Sequence, residues 1–180
     1  MPVQINFELS DNDLEHFRAL MKDALAKATQ YSSEEIITKA KEVCDEMSQA
    51  TLPDFVAERL DCLKTLIAAL EDPEWQMPED EKTEVLTSLA YFTEPHDLVP
   101  DHIPGLGYVD DAIMIELVIQ DLSQDLDAYN RFCEFRRIEE NRRGDQANVN
   151  REVWIDATRK EIRSGFRRRR KEGKRRRIFG

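Results

Sequence analysis

Apolar residues recur at steps of three and four along most of the chain, the spacing that gathers side chains onto one face of a helix. Leu14, Phe17, Met21, Ala24, Leu25 and Ala28 form the first such stripe. Ser10 opens it, and Asp13 stands where its carboxylate can reach back to the uncapped start of the helix. A second stripe, Ile36, Ile37, Ala40, Val43, Cys44 and Met47, follows Ser32, with Glu35 completing the same box. A third runs from Pro53, a favoured first-turn residue, through Val56, Leu60, Leu63, Ile67 and Leu70. After a turn at Asp72-Pro73 a fourth helix begins near Pro78, presents Val85, Leu89 and Phe92, and stops before Pro95. From Asp110 a long helix carries Ile113, Leu117, Leu122, Leu126, Tyr129 and Cys133 and ends at Gly144. A last helix starts after Asn150 with Trp154, Ile155, Ile162 and Phe166. Strand-like alternation is absent, so the predicted fold is all-α, a compact bundle of five or six helices. An arginine-rich C-terminal extension is expected to leave that bundle, at least partly disordered.

Between the fourth helix and the long one, Pro95, Pro100, Pro104, Gly105 and Gly107 crowd into thirteen residues. Leu98, Val99, Ile103 and Leu106 lie among them, so the segment should pack on the domain. Each proline fixes φ and removes a donor, which specifies one tight path between two helices. Asp97 and Asp101 can accept the N–H groups those turns leave free. Asp110 falls where the next helix needs a cap or a negative charge against its dipole. A structural corner is the favoured reading. A second is a site: Asp97, Asp101, Asp110 and Asp111 with His96 and His102 lie within sixteen residues, and carboxylates with imidazole can hold a divalent cation. Their spacing matches no metal motif.

Leu89-Ala90-Tyr91-Phe92, Pro95, Asp97-Leu98-Val99-Pro100-Asp101, Ile103-Pro104, Gly107-Tyr108 and Asp110-Asp111 together resemble the hallmark of the YkvA-like family, a bacterial domain of unknown function. The resemblance covers residues 84–123. It implies a small helical domain and no established catalytic activity, and the membrane association of some relatives keeps peripheral attachment among the readings.

Length and composition narrow the picture. One ordinary core fits 180 residues with 41% hydrophobic content. The most apolar run, Ala112 to Leu122, is interrupted by Glu116 and Asp121, so no conventional membrane span is available. The N-terminus has no secretory leader pattern, which points to the cytoplasm. Cys44, Cys62 and Cys133 are far apart among apolar neighbours and read as core fillers. No nucleophile with a base at a telling spacing and no phosphate-cradling glycine loop appear, so an enzyme is the weaker class, and no cofactor is indicated.

Charge changes the functional picture most. The net charge of −11 divides unevenly: residues 1–150 hold 13 Lys/Arg against 33 Asp/Glu, and residues 151–180 hold 13 against 4. The expected organisation is therefore an acidic helical domain over 1–150 and a basic helix or tail over 151–180. In the tail, Arg163, Arg167, Arg168, Arg169, Arg170, Lys171, Lys174, Arg175, Arg176 and Arg177 would present cations nearly all round a helix. Such a surface grips phosphate, with affinity drawn from the backbone of a polyanion and little sequence readout. The favoured partner is RNA or a ribonucleoprotein surface, touched by a non-enzymatic binding or adaptor protein. Two alternatives stand beside it. One is an anionic membrane, with Trp154, Ile155, Ile162 and Phe166 as the inserting face of a basic amphipathic helix peripheral to the inner membrane. The other is an enzyme or metal-binding protein using the Asp/His cluster at 96–111. The acidic body could itself dock a protein, or the tail could simply screen that body.

Overall fold

A computed structural model describes the backbone of residues 8–28, 30–93 and 107–179, and the side chains of these except residues 24, 25, 28, 93, 145 and 166–179. Among the described residues the chain is all-α: α1 (Asp11–Ala28), α2 (Ser33–Gln49), α3 (Asp54–Glu71), α4 (Glu79–Leu89), α5 (Val109–Asp121), α6 (Ser123–Arg143) and α7 (Arg151–Phe179), with 3₁₀ turns at Ala90–Thr93 and Gly144–Gln146. Its contacts divide it into two units, one of Met1–Glu71 with Met77–Leu126, the other of Asp72–Gln76 with Asp127–Gly180. The packing division thus falls inside α6, whereas the charge division lies near residue 150.

The first unit is a helical bundle around one core. Ser32 caps α2 as its sequence implies: Ser32 N–H donates to Glu35 at 2.7 Å and Glu35 N–H returns a bond to Ser32 Oγ at 3.3 Å. Ser10 and Asp13 do the same for α1, at 2.8 and 3.4 Å. Each box satisfies two N–H groups that a helix start leaves open. Ile36, Ala40, Cys44 and Met47 of α2 meet Val56, Leu60, Leu63, Leu66 and Ile67 of α3 in the core. Burial pushes the Cys44 thiol up to about 11, so it sits there as a small apolar filler.

Helix α5 is buried nearly all round, with Ala112, Ile113, Met114, Ile115, Leu117 and Val118 enclosed. That pattern marks a central helix rather than a surface one. Its two interrupting acids are both paired: Glu116 with Arg59 of α3 at 2.9 Å, and Asp121 with Arg18 of α1 at 3.2 Å. No helix among the described residues is long and apolar enough to cross a membrane.

The single long helix expected from Asp110 is in fact two. Leu122, at φ −105° and ψ 20°, separates α5 from α6. The stripe itself carries the reason: Leu117 and Leu122 are five residues apart, a step that rotates a continuous helix well off its buried face. Breaking there returns Leu122 to the core, where it is buried. Gly144 ends α6 as expected, at φ +58°, the left-handed geometry that favours glycine behind a helix. The extension also differs from expectation, since α7 is helical through Phe179. Arginine, lysine and glutamate are good helix formers and no proline intervenes.

The second unit is organised by Trp75. Asp72 folds the preceding turn by accepting from Glu74 N–H at 2.9 Å and Trp75 N–H at 3.2 Å. Trp75 packs its ring against Tyr129, Phe132 and Trp154, with centroids 5.5, 5.2 and 5.6 Å away. Arg151 N–H donates to Glu74 O at 2.9 Å, and Asn150 Oδ1 caps α7 through Val153 N–H at 2.9 Å.

Around this aromatic group runs a polar network. Arg136 Nη1 lies 2.8 Å from both Asp72 Oδ2 and Glu74 Oε2, and Tyr129 Oη donates to Asp72 at 3.0 Å. Burial alone would raise the Asp72 carboxyl, but bonds from Glu74 N–H, Arg136, Trp75 N–H and Tyr129 outweigh it and hold the group below the usual carboxylate range. A lowered folded value means that this contribution to stability is complete above about pH 4 and is lost as pH falls through the folded value. In Asp72→Asn the second unit should therefore lose about 2–3 kcal/mol at neutral pH and show a shallower loss below pH 4. Urea titrations followed by tryptophan fluorescence check this, because both tryptophans, Trp75 and Trp154, belong to this unit. An acid limb as steep as in the unaltered protein would remove Asp72 as its source.

Candidate functional site

Basic residues dominate α7 beyond its packed start. Trp154, Ile155, Ala157 and Thr158 are partly buried, whereas Arg159, Lys160 and Arg163 are exposed. At 100° per residue, the positions of Arg159, Lys160, Arg163, Arg167, Arg170, Lys171 and Lys174 fall within a sector of about 120° opposite Trp154. Arg177 shares the angular position of Arg159, whereas Arg168, Arg169, Arg175 and Arg176 occupy register positions outside that sector, so the cationic positions run around the whole of the distal half. Arg159 approaches Asp156 at 3.8 Å, a weak exposed pair. Lys160 and Arg163 make no ion pair among the described residues. From Arg159 to Arg177 the helix contributes a rod about 27 Å long, with twelve cations against Glu161 and Glu172.

Of the Pro/Asp/Gly-rich segment, only residues from Gly107 onward are described. Gly107 is buried, Tyr108 holds the left-handed conformation at φ 63° before α5, and Asp110 and Asp111 sit in the first turn of that helix. Asp110 is 3% exposed. Its backbone position puts a carboxylate at the positive end of the α5 dipole; Tyr108, not Asp110, is the N-cap residue. Pro95, His96, Asp97, Pro100, Asp101, His102 and Pro104 lie outside the described residues. Among the described residues, no group of three or more His, Cys, Asp or Glu side chains could hold a metal ion.

Two features of the second unit have no counterpart in the sequence-based expectations. The Asp72–Tyr129–Arg136 network could have been sought in Tyr129, Phe132 and Arg136, which share one face of α6. Glu139, Arg142 and Arg143, spaced three and four apart, form a second cluster: Arg142 Nη2 lies 2.8 Å and Arg143 Nε 2.8 Å from Glu139 Oε2.

A family model described as a protein of unknown function, DUF1232, matches residues 81–117, about a fifth of the chain. The YkvA-like resemblance lies over the same stretch. In the fold the described part of this match is most of α4, the turn at Ala90–Thr93, Gly107 and Tyr108, and the first two-thirds of α5, all within the first unit. Val85, Leu89, Tyr91, Phe92, Ala112 and Met114 from this stretch belong to the core of that unit. No curated protein and no solved structure matches the chain.

Proposed function

We propose that this chain is a non-enzymatic binding or adaptor protein whose basic C-terminal helix contacts the phosphate backbone of RNA. The observation that carries the reading is α7 itself: a helical backbone through Phe179 that sets twelve cations along one rod. Guanidinium groups bind phosphate oxygens with paired donors, and a helix repeats them at a spacing a flexible polyanion can follow. Such a contact positions the partner and reads little sequence. Membrane insertion draws less support, because Trp154 of the proposed inserting face is packed against Trp75 and Phe132. The corner at 95–111 acts in this proposal as the joint between α4 and α5, with Asp110 against the α5 dipole, and the protein works in the cytoplasm.

Fluorescence anisotropy with a labelled RNA and co-sedimentation with phosphatidylglycerol vesicles separate the partners. The expected result is salt-sensitive RNA binding that is lost when Arg167, Arg168, Arg169, Arg170, Lys171, Lys174, Arg175, Arg176 and Arg177 become Gln. Binding to vesicles alone would transfer the tail to a membrane, and binding to neither would end both readings.

A further inference from the structure

Two guanidinium groups share one carboxylate at the end of α6. Arg142 Nη2 donates to both oxygens of Glu139, at 2.9 and 2.8 Å, while Arg143 Nε stands 2.8 Å from the same Oε2. The Glu139 side chain is only 13% exposed, but those of Arg142 and Arg143 are 59% and 50% exposed. The acid is thus the most buried member of the trio, and both cations keep half or more of their side-chain surface open to solvent. The trio carries one uncompensated positive charge. Bonds from Arg142 hold the Glu139 carboxyl below its ordinary range, so it stays ionised and offsets one of the two positive charges.

These side chains line a groove of about 390 Å³ between α6 and the first part of α7, inside the second unit. Val149 and Val153 contribute apolar lining, and Lys160 contributes a third cation from α7. Asp156, the other acid in the groove, is already approached by Arg159. Arg142 and Arg143 also oppose the negative end of the α6 dipole, which accounts for their sign. It does not account for Lys160 on the facing helix. Register continues the line outward: Lys160, Arg167, Lys171 and Lys174 follow at steps of seven, four and three, on one side of α7.

We infer that the α6–α7 groove is a phosphate-holding subsite that seats a backbone phosphate of the RNA between Arg142, Arg143 and Lys160. The inference rests on the RNA reading of the tail and extends it, because it places the strand's first fixed point on the folded unit. The exposed guanidinium edges supply paired donors, and the ammonium supplies a point charge. Glu139 competes with the phosphate for both arginines, which gives the site a signature of opposite signs.

The test uses the full chain and a fluorescein-labelled oligouridylate about 20 nucleotides long. Changing Arg142, Arg143 and Lys160 together to Gln should weaken binding about tenfold and reduce the slope of log affinity against log salt by about 1–2. Glu139→Gln should tighten binding several-fold, an effect that misfolding would not produce. Two controls change the same charge elsewhere: Lys22, Lys39 and Lys64 to Gln in the first unit, and Glu134→Gln on α6 outside the groove. If each groove variant matches its control while the tail variant still loses RNA, the subsite is wrong and the tail reading stands. If the unaltered chain binds no RNA, both are wrong.

Discussion

In Trp75→Ala the second unit should lose about 3–5 kcal/mol, the usual cost of emptying the space of a large aromatic. The side chain is 1% exposed and touches three other rings, and the Arg151 guanidinium lies 4.1 Å from its ring centroid. Few substitutes are at hand: among the described residues, the other buried hydrophobics of this unit are Tyr129, Phe132 and Val149. A small unit has little surplus with which to absorb such a hole. Trp75→Phe makes the informative comparison. It keeps a ring between Tyr129 and Trp154 and deletes the indole N–H, which is buried without an acceptor among the described residues. Its cost should therefore be milder, about 1–2 kcal/mol. In either variant Trp154 is the only tryptophan left, so its emission reports this unit alone in a urea titration. A Trp75→Ala midpoint equal to that of the unaltered protein would show that the ring cluster is not what holds the unit together.

That cluster also shows where sequence stops informing. The capping boxes at Ser10 and Ser32 were legible because both partners sit within three residues and need no tertiary partner to define them. The stripes of α2 and α3 were legible because burial repeats with the helix period. The break at Leu122 was written in the same stripe, as a step of five, but steps of three and four on either side made it look like one helix. Trp75 was hidden for a different reason. It stands in a turn between Pro73 and Pro78, where no periodicity points inward, and its partners come from residues 54 to 79 positions away. Asp72 likewise reads as an ordinary turn former, and only the fold brings Arg136 and Tyr129 to it. Glu139, Arg142 and Arg143 look like any solvated helix face until α7 lies across them. The motif aspartates were legible as a cluster in sequence, yet what is described of them, Asp110 and Asp111, is the opening turn of a central helix.

Exchanging the nine cations from Arg167 to Arg177 for Gln should have the largest effect on binding, for two physical reasons that act together. The first is counterion release. Six to ten phosphate contacts make affinity fall about 10³- to 10⁵-fold between about 50 and 200 mM salt, and removing nine cations should flatten nearly all of that dependence. The second is sign. The exchange takes the formal net charge of the chain from −11 to −20, so what remains repels a polyanion instead of gathering it. Residues 166 and 177 are about 16 Å apart along the helix axis, about two Debye lengths at physiological salt. Along that rod the end of the tail can hold phosphate beyond the screening distance of its own base. Like charges four apart, as at Arg167 and Lys171 or Arg170 and Lys174, oppose the helix they occupy. A bound phosphate backbone relieves that repulsion, so adding RNA should raise the thermal stability of the helical signal in the unaltered chain and leave the nine-residue variant unchanged. Circular dichroism across a salt series separates this from general screening: added salt should stabilise α7 while weakening the RNA contact. Parallel loss of both with salt would mean that the helix is held by attraction to acids of the protein rather than poised for an external anion.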